Sequence, residues 1–369
     1  MKVLSLFDGM ACGMIAMNLA GVDVESYDAY EIDKYAVKTA QHNFPMIREH
    51  GDVFAADFTQ YEGVDFLIGG SPCTYWSIAQ TKNRETVASG MGWELFSQYV
   101  RALHEAKPKY FIYENNKSMS KDIRASIDKA FGFEAVLINS ALVSAQNRQR
   151  LYWVGKRNSD GTYSRVNVEQ PTDRGILLKD VLDSAVASRE KAHTIDANYY
   201  KGGNFASPNK QSGKRLMAAE PLVTTKNGKS FAITANYAHM QDYPNDYAAH
   251  TCANGGGAGA KTGLYAIPYA IEFDDDGRPI KVIGKDGKEI TVYEVRDGKI
   301  TIKGKQYPIK LRDGYYIIRK LTVRECKRLQ TVPEWYEFPV SDSQAYKMLG
   351  NGWTCEVIAH LIRSALTGD

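Results

Sequence analysis

The residues best suited to chemistry in this 369-residue chain are a cysteine and a carboxylate that each follow an apolar run. Cys73 stands in GGSPC (69–73), just past VDFLI (64–68), and Glu114 ends YFIYE (110–114). A thiolate attacks electron-poor carbon, but a free thiol is only slightly ionised near neutral pH and needs help from its surroundings. A carboxyl able to donate a proton, its pKa raised by burial, would activate a pyrimidine ring toward such attack. Taken alone, Cys73 could equally be packing, and Glu114 or Asp52 could each cap a helix.

A second set lies nearer the N-terminus. FDGMACG (7–13) carries Gly9 and Gly13, which permit close backbone approach. Glu31 follows 22 residues after Gly9, where an acid would accept from ribose hydroxyls, and Asp52 follows in GDV (51–53). The spacing is neither G-x-G-x-x-G nor G-x-x-x-x-G-K, which disfavours a dinucleotide or nucleoside triphosphate. S-adenosylmethionine, an adenosine without phosphates, fits better.

The surrounding pattern explains how these residues could meet. Strands are expected at 2–7, 24–30, 47–53, 64–70 and 109–114, with helices at 13–21, 33–44, 92–106 and 119–131. Two further strands at 133–143 and 149–156 follow, then an amphipathic helix at 176–184. This alternation predicts an α/β fold with a mostly parallel sheet and helices on both faces. In such a sheet ligands bind beyond the carboxyl ends of the strands, where all five singled-out positions fall.

The middle of the chain differs. Residues 190–265 are rich in Gly, Asn, Ser, Thr and Tyr, and 280–311 alternate β-branched and charged residues around Asp-Gly pairs at 286–287 and 297–298. This predicts an inserted, loop-rich β domain, followed by helices at 322–330 and 356–366 that rejoin the first domain. KAHTIDANYY (191–200) is echoed by KSFAITANYA (229–238), too briefly for a repeat array.

Net charge is only +3, so no polyelectrolyte character points to nucleic acid, although a local basic groove is compatible with it. Five widely spaced cysteines, with no C-x-x-C and no Cys/His cluster, imply reduced thiols and no metal. His193 and His250 form no ligand spacing. No run approaches a membrane span, so a cytoplasmic protein is expected.

Eight segments in order resemble the DNA cytosine-5 methyltransferases of bacterial and phage type, across roughly the first 156 residues plus 319–363. They are LFDGMACG (6–13), YEID (30–33), GDV (51–53), GGSPC (69–73), YENNKSM (113–119), QNRQR (146–150), RKLTVRECKRLQTVP (319–333) and YKMLGNGWTCEVIAHL (346–361). The resemblance implies a Rossmann-like methyltransferase sheet with S-adenosylmethionine held by Phe7, Asp8, Gly9, Gly13, Glu31, Ile32, Asp52, Val53, Pro72 and Asn351. It implies Cys73 as the nucleophile, Glu114 on the cytosine edge, and Arg148 and Arg150 at phosphate and cytosine oxygen. Ser71, Asn115 and Gln146 would support the substrate, with Asn115 holding the nucleophile loop (73–92) and SGMG (89–92) as its hinge. Duplex DNA with the target cytosine flipped out is the implied partner, and a monomeric enzyme is expected.

The resemblance also implies boundaries at 1–171, 172–318 and 319–369, and it assigns the middle segment to target recognition. There Lys210, Lys214, Arg215, Lys229 and Lys261 are candidate phosphate contacts. Asn198, Tyr199, Tyr200 and Asn236 are candidate groove readers. Asn116 departs from the family, which usually has Val there. It reads either as a tolerated swap or as a polar pocket wall that changes the group transferred or the base accepted.

Overall fold

Four of the five residues of the first strand, β1 (Lys2–Leu6), are buried, and β2 (Ser26–Tyr30) and β4 (Phe66–Gly69) are buried in the same way. Runs that bury both faces belong inside a parallel sheet covered by helices. The computed structural model, which describes residues 1–77, 84–183, 185–201, 216–222, 270–273, 278–283, 287–302 and 304–367, builds that sheet. Its order is β3-β2-β1-β4-β5-β7-β6, with β3 (Arg48–Glu49), β5 (Tyr110–Asn116), β6 (Val136–Asn139) and β7 (Gln149–Arg157). The strands β3, β2, β1, β4 and β5 are parallel. β7 runs antiparallel to both β5 and β6, and a short β8 (Tyr163–Arg165) extends it. The sheet is therefore mixed.

The helices start and stop where local chemistry dictates. α1 (Cys12–Ala20) ends at Gly21, whose left-handed backbone lets its N–H reach back to Asn18. α2 (Lys34–Asn43) begins at Asp33, whose side chain accepts from the Tyr35 N–H. α3 (Met91–Ala106) precedes β5, and α4 (Lys121–Phe131) runs from the Ser120 cap to a left-handed Gly132. Near the C-terminus follow α5 (Val323–Leu329), α6 (Asp342–Asn351) and α7 (Cys355–Thr367). An aromatic cluster of Phe96, Tyr99, Phe111, Tyr113, Phe131 and Trp153 fills the core beside β4, β5 and β7.

The chain divides into two compact units. Unit 1 comprises Met1–Ile176, Thr194–Tyr200 and Cys326–Asp369, and unit 2 comprises Leu177–His193 and Lys201–Glu325. Unit 2 holds a six-stranded sheet in the order β15-β14-β13-β16-β10-β9. Its strands are β9 (Val186–Ala187), β10 (Leu216–Leu222), β13 (Val292–Arg296), β14 (Lys299–Ile302), β15 (Lys305–Pro308) and β16 (Gly314–Lys320); β11 (Ala270–Phe273) and β12 (Pro279–Ile283) form a separate pair. The Asp-Gly signal at 297–298 is a two-residue hairpin turn. Asp297 and Gly298 have φ of 51° and 65°, and Arg296 pairs with Lys299.

Three local expectations need correction. The third strand shrinks to two residues, because Asp52 turns the chain into a 3-10 helix at Val53–Ala55. The stretch 133–143 is a strand only to Asn139, whose side chain caps a 3-10 turn. The helix expected at 176–184 is a single 3-10 turn at Leu178–Val181. There the Leu178 N–H bonds the Glu190 carbonyl and the Asp180 side chain takes the Leu177 N–H. One partner outside the segment and one side chain within it take these N–H groups, and the amphipathic spacing is not used as a helix.

Candidate active site

The turn after β1 is built from backbone in an uncommon conformation. Phe7, Gly9 and Ala11 have φ of 58°, 62° and 60°. For the two non-glycines this costs about 1–2 kcal/mol each, strain of the kind that collects at functional loops. The turn aims the Gly9 N–H at Glu31 Oε2, 2.8 Å away. Glu31 Oε1 accepts from the Ile32 and Asp33 N–H groups, also at 2.8 Å, so the carboxylate is fixed from both sides.

Beneath this turn lies a strip of buried acid. Asp8 Oδ1 accepts from Ser5 Oγ and Tyr27 Oη at 2.5 and 2.6 Å, while its Oδ2 is buried without a partner. Burial pushes the Asp8 carboxyl up to about 6, against the two hydroxyl donors. Burial, reinforced by the negative charge of Asp8 and Glu31, pushes Glu49 up to about 8.

Past β4, which ends at Gly69, the chain turns through Gly70 into the loop that carries Cys73. A Cβ on Gly70 would stand 2.9 Å from both the Glu114 carbonyl oxygen and its Oε2, so only glycine lets this loop lie so close to β5. Cys73 opens a one-turn 3-10 helix, Cys73–Tyr75. Glu114, on β5, forms an ion pair with Arg150, Oε1 to Nε 3.1 Å, and its Oε2 accepts from Trp353 Nε1 at 3.0 Å. Burial pushes the Cys73 thiol up; the Arg150 charge opposes this and the Glu114 charge adds to it. Asn115 Nδ2 donates to the Ser71 carbonyl at 3.2 Å and to Tyr113 Oη at 3.1 Å, tying the loop to β5. Ser71 Oγ and Tyr113 Oη are 2.6 Å apart.

These two ends share one cleft in unit 1, enclosing about 230 Å³. Of the residues singled out in the sequence, Phe7, Asp8, Gly9, Glu31, Ser71, Pro72, Cys73, Glu114, Arg148, Arg150 and Asn351 line it. The others stand outside the lining. Gly13 lies in the first turn of α1, where a Cβ would fall 2.3 Å from Ile68 Cδ1 and 2.5 Å from Tyr27 Oη, so its need for glycine is helix-on-sheet packing. Val53 is core, and Asp52 caps its own 3-10 turn. Ile32 is 77 % exposed. Asn115 and Gln146 are buried behind the wall.

Other expectations are also refined. Tyr199 is buried against Tyr346, their ring centroids 5.7 Å apart, and is not a groove reader in this arrangement. Asn198 and Tyr200 are exposed. Asn116 is buried, bonded to Asn115 Oδ1 and Ser118 Oγ, and borders a separate hollow with Lys117, Asn147 and Gln149. At the expected hinge, Gly90 has φ of 83° and Gly92 packs under Trp76 and Glu85 at the start of α3. Lys210, Lys214, Arg215, Lys229, Asn236, His250 and Lys261, and the echo at 229–238, lie outside the described residues. Sequence reasoning missed Asp33, Lys347 and Trp353. All three line the cleft, and Lys347 Nζ bonds Asp33 Oδ2 at 2.7 Å. No local spacing signals them, since Lys347 and Trp353 arrive from the far end of the chain.

The cleft suits S-adenosylmethionine. A Cβ on Gly9 would meet no protein atom and would enter open space, so the missing side chain leaves room beside Glu31. The fixed carboxylate of Glu31 offers acceptors for a ribose. Among the described residues no group of three or more His, Cys, Asp or Glu could hold a metal ion, and Cys12, Cys73, Cys326 and Cys355 are free thiols.

Comparison with known proteins agrees with this chemistry. The orphan methyltransferase M.SPRI of Bacillus phage SPR is 26% identical over 440 aligned residues, covering 99% of this chain and 97% of that protein. The type II methyltransferase M1.ScrFI of Lactococcus lactis subsp. cremoris is 28% identical, covering 95% of this chain and 74% of its own length. In three dimensions the S. pombe Dnmt2 methyltransferase superposes with a TM-score of 0.52 at 15% identity, covering 99% of this chain and 98% of that one, a likeness of fold. The family model of the C-5 cytosine-specific DNA methylases matches residues 1–367, and the chain belongs to that family.

Proposed function

We propose that Cys73, Glu114 and Arg150 carry the reaction of this cytosine-5 methyltransferase, which moves a methyl group from S-adenosylmethionine to carbon 5 of cytosine in DNA. The observation that carries the assignment is the convergence of the three side chains in one cleft with Glu31 and the Gly9 turn. The bound cofactor supplies the methyl group as an electrophile on a sulfonium. The remaining steps belong to the chain and the base.

The target cytosine leaves the stack to enter the cleft, since its ring is out of reach within a duplex. Cys73 gives its proton to solvent water, and its thiolate sulfur bonds carbon 6. The ring electrons move toward N3, where Glu114 delivers a proton. Arg150, already on Glu114, holds the cytosine oxygen. Carbon 5 then takes the methyl group, a base removes the carbon-5 proton, the sulfur leaves carbon 6, and the N3 proton returns to Glu114. Electrons and protons balance, and the cysteine is regenerated. Burial disfavours the thiolate, and the Arg150 charge lowers the cost of ionising Cys73. Asn115 keeps the loop in register by holding Ser71.

Unit 2, with its own sheet and exposed hairpins, serves as the target-recognition domain on duplex DNA, and the enzyme acts as a monomer. Among the described residues no helix is long and apolar enough to cross a membrane. The test is nucleoside mass spectrometry on duplex DNA incubated with enzyme and S-adenosylmethionine, beside a Cys73→Ala control. The expected result is deoxycytidine heavier by one methyl group, absent in the control. Methylation surviving in Cys73→Ala would remove Cys73 from the mechanism, and a different added mass would return attention to Asn116.

A further inference from the structure

Arg148 is engaged before any DNA arrives. It is 3 % exposed, and its partners are all backbone carbonyls. Nη1 donates to Ile195 at 3.0 Å, and Nη2 donates to Gly350 at 3.1 Å and Gly352 at 2.8 Å. Three of the five N–H bonds of the guanidinium are thus committed. A lysine could reach one of these carbonyls in that geometry, not all three.

The three carbonyls belong to two segments far apart in sequence. One is the strap Thr194–Tyr200, which belongs to unit 1 although the chain before it and after it belongs to unit 2. The strap is seated by more than Arg148. The Ile195 N–H reaches Gln146 Oε1 at 3.4 Å, and Thr194 Oγ1 donates to the Asn147 carbonyl at 2.6 Å. Gly350 lies so close beneath it that a Cβ there would fall 2.2 Å from the Asp196 carbonyl carbon and 2.4 Å from the Ala197 nitrogen. The other segment is the Gly350–Gly352 turn, which places Asn351 in the cleft and leads directly to Trp353, the donor to Glu114.

We infer that Arg148 is a positioning residue, which fastens the Thr194–Tyr200 strap and the Gly350–Gly352 turn into one wall of the cleft and thereby sets Trp353 against Glu114. This rests on the reading of Glu114 as the carboxyl on the cytosine edge. It differs from the role implied by family resemblance, in which Arg148 would bind phosphate or the cytosine oxygen. It also adds to the catalytic wall a seven-residue piece flanked on both sides by unit 2 sequence. Misplacing such a wall should slow the chemical step while leaving the DNA contacts intact.

Steady-state kinetics on duplex DNA separate the two roles. Positioning predicts that Arg148→Lys lowers kcat about 10- to 100-fold, with KM for DNA within about threefold of wild type and an unchanged salt dependence of binding. Gly350→Ala keeps the arginine but displaces the strap, and it should give the same kinetic signature. A phosphate contact predicts the opposite pattern: KM rises, the slope of log K against log salt shrinks by about one in Arg148→Lys, and Gly350→Ala is silent. That pattern would overturn the inference. Should neither variant fold, hydrogen exchange on the wild-type enzyme decides. The peptide spanning 194–200 should be as protected as β7 in the absence of DNA, and rapid exchange there would refute the clamp. Failure of the underlying site assignment looks different, since it would appear as methylation by Cys73→Ala.

Discussion

The two ends of the cleft are made differently. At the end proposed to hold the cofactor the surface is backbone: a turn with three left-handed residues, and a carboxylate held by three N–H groups. At the end proposed to react the surface is side chain: Arg150 pairs with Glu114, Trp353 donates to it, and the thiol of Cys73 lies beside them. The first end is sensitive to conformation and space. The second is sensitive to charge.

That contrast is sharpest at Arg150. Arg150→Ala should lower kcat/KM by about 10²–10³, the cost typical of losing a preorganised charged donor at a reacting centre. It should also move the acid limb of the pH–rate profile upward. The Arg150 charge holds the thiol down against burial, so without it Cys73 ionises only at higher pH. Rates measured across pH with cofactor affinity determined alongside check both, and a downward shift of the limb would break the charge argument.

At the other end the expected loss is smaller and falls on binding. Gly9→Val places a β-branched residue at φ of 62° and points its side chain into the space left for the cofactor. S-adenosylmethionine binding by calorimetry should weaken roughly tenfold, from strain of about 1–2 kcal/mol, while the pH profile of the thiol stays put. A shifted pH profile would mean that the two ends are not separable.

The smallest effect concerns the acidic strip. Glu49 is held at about 8, above the ordinary carboxyl value of 4.5, by burial and by Asp8 and Glu31. A carboxyl held above its unfolded value binds its proton more tightly when folded. Its stabilising contribution is present below the unfolded value and is lost as pH rises from about 4.5 through about 8. Glu49→Gln should therefore gain stability over wild type at pH 9, by about 1 kcal/mol once partial exposure is discounted, with little gain at pH 4. Melting temperatures at the two pH values test this, and a gain at pH 4 alone would reverse the sign.

Both ends are legible in part from the sequence. Phe7, Glu31, Cys73 and Glu114 are legible because they follow strands buried on both faces, which read as unbroken apolar runs. The antiparallel turn of β7 is not legible, since strand direction leaves no mark on composition. Nor are the partners of Arg148: Ile195 and Gly350 lie 47 and 202 residues away, and their carbonyls carry no side-chain signature. The strap falls within a stretch whose Gly, Asn and Tyr content reads as loop. Its return to unit 1 is decided by tertiary contacts such as Tyr199 on Tyr346. At 176–184 a helical pattern gives way to a 3-10 turn whose Leu178 N–H bonds the Glu190 carbonyl.

The central claim is that Cys73 bonds carbon 6 of the target cytosine. A duplex in which 5-fluorodeoxycytidine replaces the target nucleoside has no carbon-5 proton to lose, so the final elimination cannot occur and the adduct should persist. Peptide mass spectrometry of the enzyme after reaction with this duplex and S-adenosylmethionine should find the methylated nucleotide on Cys73, and none on Cys12, Cys252, Cys326 or Cys355. An adduct on another cysteine, or none from an enzyme that methylates the ordinary duplex, would contradict the account.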